Sequence, residues 1–207
     1  MPAQAQNATS LEEHLLSLKS CRLCPQMCRP VITHSAITSR IYLCGQAPGV
    51  HEGELGKPFA WTAGKTLFRW LAQIGISEEQ FRSRAYMGAV CRCFPGKGKS
   101  GGDRVPSAAE ILNCSVWMKQ EFKILEPELV IPVGRLAIDL YLPGKMLTET
   151  VGQCLDAEAF GKAVQIIALP HPSGASPWFK KDPGKTLLTE ALQLLNAHPV
   201  WQEVFST

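Results

Sequence analysis

The chain has 207 residues, 45% of them hydrophobic, enough for a single domain with a full core. It contains no run of 18 or more apolar residues, which excludes a membrane-spanning helix. A formal net charge of +3 is too small to single out an anionic partner by itself.

Residues 1–8 are small and polar and are expected to be disordered. They lack the basic start and apolar stretch of a signal peptide, so a cytoplasmic location is expected. Ser10 and Glu13 form a capping-box pattern ahead of Leu11, Leu15, Leu16 and Leu18, which predicts a helix leading into Cys21. Ile41 to Cys44 is a short apolar run bounded by Arg40 and Gly45 and predicts a buried strand. The loop that leaves it, Gly45 to Phe59, is rich in Gly and Pro and carries His51, Glu52 and Phe59. Loops at the carboxyl ends of strands are where open α/β sheets place ligands. A helix is predicted from Ala63 to Gly75, with Leu67, Trp70, Leu71 and Ile74 as its apolar stripe, and a short one begins at Ser77. Ala85 to Val90 is the second predicted strand, and residues 96–104 read as a flexible basic loop. Ser107 with Glu110 caps a long helix to about Leu125. Glu128 to Val133 is the third strand, a helix follows through Leu142, and the fourth strand lies within Lys162 to Leu169. His171-Pro172-Ser173 follows at once, and a last helix covers Lys185 to Asn196. Strands alternating with helices predict an α/β fold, a three-layer α/β/α sandwich around a mainly parallel four-stranded sheet, as one domain over residues 1–207.

Eight cysteines are many for a reduced compartment, where disulfides are rare. Cys21 and Cys24 form a C-x2-C pair with Cys28 close behind; Cys91, Cys93 and Cys114 lie mid-chain. Cys44 and Cys154 stand alone and read as small packed residues. Four thiolates in two groups suit zinc or an iron–sulfur cluster. Zinc ribbons repeat the short pair, whereas Cys93 and Cys114 are spread over a loop and a helix, which favours a larger object such as [4Fe–4S].

These motifs resemble the uracil-DNA glycosylase superfamily, in particular its iron–sulfur branches, families 4 and 5. The resemblance rests on Gly45-Gln46-Ala47-Pro48-Gly49, Glu52, Gly56-Lys57-Pro58-Phe59, Ala63-Gly64 and His171-Pro172-Ser173, and covers about residues 18–196. It implies a monofunctional glycosylase that flips a deaminated nucleotide out of DNA and hydrolyses its N-glycosidic bond. It implies a [4Fe–4S] cluster on Cys21, Cys24, Cys93 and Cys114. In that reading Phe59 stacks on the base and the backbone near Gln46 and Ala47 faces its carbonyl oxygens. His171 stabilises the departing anion, Glu52 acts on water or the cationic sugar, and Ser173 helps hold phosphates. DNA is the expected partner, of a monomer without membrane contact.

The chain departs from the family pattern at three places. Gln46 stands where family 4 has Glu, Ala47 where family 1 has its water-activating Asp, and Ala89 where an Asn reads the base. The catalytic Asp of family 5 aligns with Thr62. A DNA-binding or damage-sensing relative with weak cleavage therefore stays open, as does a cysteine-based metal module. Arg92, Lys97, Lys99 and Arg104, with Lys180, Lys181 and Lys185, are expected to meet phosphates. The loop after His171, with Trp178 and Phe179, is expected to supply an exposed wedge into the base stack.

Overall fold

The computed structural model describes residues 10–99, 101–174 and 176–206; the disorder expected of residues 1–8 lies outside them. Among the described residues the strands form one sheet in the order β2-β1-β3-β5-β4. Strand β1 (Ile41–Gly45) pairs in parallel with β2 (Tyr86–Ala89) and with β3 (Leu129–Pro132), and β3 with β5 (Lys162–Ile167). The residues of β1, β2 and β3 are all buried, as expected of parallel strands covered on both faces. The helices lie around this sheet, so the α/β reading holds.

The sheet has five strands rather than four. The additional one, β4 (Cys154–Ala159), pairs antiparallel with β5 from Cys154↔Ile167 to Ala159↔Lys162. The two are joined by Phe160 and Gly161, with φ of 52° and 80°. Positive φ at both central residues is the signature of the tight hairpin turn whose twist matches the strands. The strand escapes sequence reading because Cys-Leu-Asp-Ala-Glu-Ala has little β-propensity and lies at an edge. Cys154 itself is exposed, so it is not the packed residue expected; Cys44 is buried.

Helix α1 (Leu11–Lys19) starts at the Ser10–Glu13 capping box. The Gly45–Phe59 segment is not all loop: it contains helix α2 (Val50–Leu55), ended by Gly56 at φ 67°. Helix α3 (Thr62–Ala72) and α4 (Glu78–Arg84) follow, and α5 (Ala108–Leu125) is capped by Ser107. After β3 come α6 (Arg135–Tyr141) and α7 (Leu147–Thr150), and after β5 a 3-10 turn (Trp178–Lys180), α8 (Gly184–Ala197) and α9 (Pro199–Phe205).

A buried polar cluster joins the N-terminal half. Glu121 on α5 is fully buried and accepts from the hydroxyls of Tyr42 (2.5 Å) and Tyr86 (2.8 Å) and from the Arg92 guanidinium. His14 of α1 stands 3.4 Å from the same carboxylate. Arg92 is therefore no phosphate contact: it is 2% exposed, and its Nε donates to the Ala89 carbonyl at 3.0 Å. Burial pushes the Glu121 carboxyl up, but Arg92, His14 and Tyr42 outweigh it and hold the group at about 2. A carboxyl depressed from 4.5 contributes stability above that pH and loses it as pH falls toward 2. Glu121→Gln should cost about 3–5 kcal/mol at pH 7, because it leaves Arg92 buried without its counter-charge. Thermal melts of both proteins should differ most at neutral pH and converge between pH 4.5 and 2; a constant gap would show that the charge is not what matters.

Candidate active site

The carboxyl ends of β1, β2 and β3 and the segment after β5 surround a cavity of about 700 Å³. Its wall includes Gln46, Ala47, Glu52, Phe59, Ala89, Asp103, His171 and Ser173. The volume suits a small aromatic ligand, and the lining mixes apolar faces with a few polar groups.

Phe59 has φ 51°, a conformation that costs a non-glycine residue about 1–3 kcal/mol. Arg82 of α4 holds it there. Its Nη1 donates to the Pro58 carbonyl at 2.9 Å and its Nη2 to the Phe59 carbonyl at 2.8 Å. The ring lies over Gly45, where a Cβ would come within 2.8 Å of it. Nothing in the sequence signals this role of Arg82, which acts across more than twenty residues.

His171 packs on Gly134 at the end of β3. Gly134 has φ 86°, and a Cβ there would lie 2.7 Å from the imidazole Cδ2. The Ser173 backbone N–H donates to His171 Nδ1 at 3.2 Å, and the Ser173 hydroxyl lies 2.9 Å from the same nitrogen. Nδ1 is thus an acceptor, so a neutral ring carries its proton on Nε2. Nε2 has no partner among the described residues and is left as a donor on the cavity wall. Burial lowers the His171 pKa below its ordinary value, while the Asp103 carboxylate pulls it the other way. The Ser173 hydroxyl, expected at a phosphate, lies against His171 Nδ1.

Glu52, 8% exposed, accepts from the Gly49 N–H at 2.8 Å and so closes the first turn of α2. Gln46 and Ala47 lie on the cavity wall at the end of β1, and their loop is tied to β2 by the Cys91 N–H donating to the Gln46 carbonyl at 3.0 Å. Ala89 presents a methyl group at the end of β2.

The basic 96–104 segment forms a hydrogen-bonded hairpin rather than a free loop. Gly98 N–H donates to Gly102 at 2.7 Å and Arg104 N–H to Gly96 at 2.9 Å. Lys97 is paired with Asp103 at 2.7 Å, and both nitrogens of the Arg104 fork with Glu110 at 2.6 and 2.7 Å.

A second cavity, about 270 Å³, lies between α1 and α5 and is lined by Cys21, Cys24, Cys93 and Cys114. Backbone pairing brings these cysteines together: Cys28 and Phe94 exchange hydrogen bonds of 2.8 and 3.1 Å, and Ile32 N–H donates to Arg92 at 2.7 Å. Asn113 reaches the Leu23 carbonyl at 3.2 Å and the Cys24 sulfur at 3.7 Å. Burial pushes the Cys93 thiol up to about 12, with Cys114, Cys21 and Cys24 adding to the rise through their charge. Four cysteine sulfurs around one space become, once deprotonated, a donor set for a cationic centre. Among the described residues no group of three or more His, Cys, Asp or Glu converges as ligands of one ion would. Cys91 is buried outside this lining, and its thiol lowers the pKa of its neighbour Cys114; Cys28 is exposed.

The loop after His171 does not form the exposed wedge expected of it. Trp178 and Phe179 are half-buried against the core, with the Phe179 ring 4.9 Å from Trp70 in an edge-on contact; Ala175 lies outside the described residues. Gly184 at the start of α8 leaves room for the Trp178 ring, 2.7 Å from where its Cβ would be.

A family model described as "Uracil DNA glycosylase superfamily" matches residues 32–196. The type-4 uracil-DNA glycosylase of Archaeoglobus fulgidus is 27% identical over 179 residues, covering 79% of this chain and 82% of that protein. The type-4 enzyme of Thermotoga maritima is 27% identical over 161 residues, 75% of this chain and 78% of its own length. The type-5 enzyme of Pyrobaculum aerophilum is 30% identical over 157 residues, 70% and 66%.

Phe179→Ala should lower stability by about 1–2 kcal/mol, since it removes a half-buried ring and its edge contact. Chemical denaturation measures this; an unchanged midpoint would return the residue to an exposed role.

Proposed function

This chain belongs to the uracil DNA glycosylase superfamily, and from that premise we propose how its residues work as a DNA glycosylase carrying an iron–sulfur cluster. The reaction breaks the bond between C1′ of a deoxyribose and the ring nitrogen of a deaminated base. The base must be flipped out of the strand to reach a pocket of this kind. Phe59 takes one face of the base, held by Arg82 over Gly45. The observation that carries the reading is the tautomer of His171: Ser173 N–H occupies Nδ1, which leaves Nε2–H as the donor to the departing anion. Burial favours the neutral ring, so the group donates a hydrogen bond without first having to lose or gain a proton. Glu52, fixed by Gly49 N–H, supplies negative charge toward the sugar as it becomes cationic.

Cys21, Cys24, Cys93 and Cys114 are the residues that would hold the [4Fe–4S] cluster, and the fit rests on their shared cavity. Through these four residues a bound cluster would tie the end of α1, the segment after β2 and α5 together; the hydrolysis itself requires no electrons. Its role is therefore structural.

The activity test is release of base from oligonucleotides containing uracil, hypoxanthine or xanthine, single- and double-stranded. Uracil release is expected, and His171→Ala should lower it by about two to three orders of magnitude on both strand forms. Binding of damaged DNA without release would favour the damage-sensing reading, for which the methyl groups of Ala47 and Ala89 on the pocket wall are the observation. For the cluster, anaerobically purified protein should be brown and hold about four irons per chain. Cys24→Ser should lose the colour and melt at lower temperature. Stoichiometric zinc in place of iron would refute the assignment.

A further inference from the structure

The 96–104 hairpin brings into the pocket an acidic side chain that lies outside the motifs quoted above. Asp103 stands opposite Lys97 in the hairpin's antiparallel bridge, and its Oδ1 accepts from Lys97 Nζ at 2.7 Å. Its Oδ2 has no hydrogen-bond partner among the described residues. That oxygen lies over the loop that leads into α2: a Cβ on Gly49 would be 3.5 Å from Asp103 Oδ2 and 2.8 Å from Glu52 Oε2. Two carboxylates from distant parts of the chain therefore approach the same glycine, and both line the cavity that holds His171. Their circumstances differ. Glu52 is 8% exposed and bonded through Oε2 to the Gly49 N–H. The Asp103 side chain is 41% exposed, so its free oxygen meets both the cavity and the solvent from which the nucleophile must come.

We propose that Asp103 is a second carboxylate of the active site, the one that positions the attacking water and accepts its proton. The inference rests on the glycosylase reading above and divides its labour: Glu52 stays a fixed charge beside the sugar, and Asp103 serves the water. In the step, a lone pair of the water oxygen forms the new bond to C1′. The C1′–N bond breaks and its electron pair leaves with the base, which is received by His171 Nε2–H. One water proton passes to Asp103 Oδ2, and solvent later takes it up. A carboxylate fits the task because it is ionised at neutral pH and accepts without rearrangement. It also gives the chain a water-handling group that does not come from the strand-end loop where Ala47 stands.

Single-turnover release of uracil from a single-stranded oligonucleotide tests this. Asp103→Asn and Asp103→Ala should each be about a hundredfold slower than wild type, with oligonucleotide affinity and melting temperature close to wild type. Sodium formate should restore part of the rate of Asp103→Ala, because it returns a carboxylate to the vacated space. It should not restore Asp103→Asn, where the amide fills that space, nor His171→Ala. A rate for Asp103→Asn within about threefold of wild type would overturn the proposal. So would a slow Asp103→Ala that formate leaves unchanged, since Asp103 would then act through the shape of the hairpin. A wild-type protein that releases no base fails earlier and takes down the glycosylase reading itself, so the two failures are told apart.

Discussion

The buried carboxylate of Glu121 is the constraint on which much of the molecule depends. An ionised group removed from water is costly unless its lone pairs are met. Here Tyr42 of β1, Tyr86 of β2, Arg92 after β2 and His14 of α1 face it from four parts of the chain. Satisfying one side chain on α5 therefore fixes the depth of two strands and the placement of the N-terminal helix. Arg92 carries the constraint onward, for it lines both cavities and holds the Ala89 carbonyl. The cysteine cavity and the base pocket share this residue as a wall, so a displacement in one is felt in the other.

The pocket owes its shape to close approach. Gly45 and Gly134 stand at the ends of neighbouring parallel strands, and each lets an aromatic ring rest on bare backbone. The rings so seated are Phe59 and His171, one for a base face and one for a base edge. The strain at Phe59 is offset by the fork of Arg82, which satisfies two successive carbonyls at once.

Much of this was legible in the chain. The apolar runs at 41–44 and 129–132 are strands because they are buried on both faces, where continuous hydrophobicity is the rule. The capping boxes at Ser10 and Ser107 start helices where they predict them, since local side-chain-to-backbone bonds need no tertiary context. The motif residues His171, Phe59 and Glu52 gather at one cavity because strand-end loops of a parallel sheet emerge on one side. Tertiary facts were not legible. Arg92 reads as a surface cation until Glu121, 29 residues away, is seen beneath it. Asp103 reads as part of a basic linker until the hairpin folds it over Gly49. Trp178 and Phe179 look exposed beside two lysines, yet Phe179 meets Trp70 and Trp178 meets the bare backbone of Gly184, partners no local pattern reveals. Strand β4 is set by its partner β5 and the turn at Phe160 and Gly161 rather than by its own composition.

That late hairpin has a consequence for how the sheet ends. A parallel sheet left open at β5 would offer a strand with unpaired amides and carbonyls to any neighbouring chain. The antiparallel return along β4 replaces that rim with one carrying Asp156 and Glu158 exposed, Asp156 accepting from the Gln165 amide at 3.2 Å. Charged side chains on an outer strand penalise further strand addition, because like carboxylates would be brought together and stripped of water. The hairpin thus acts as a guard against fibrillar self-association at this margin of the sheet, a property of the crowded, concentrated protein rather than of the single molecule.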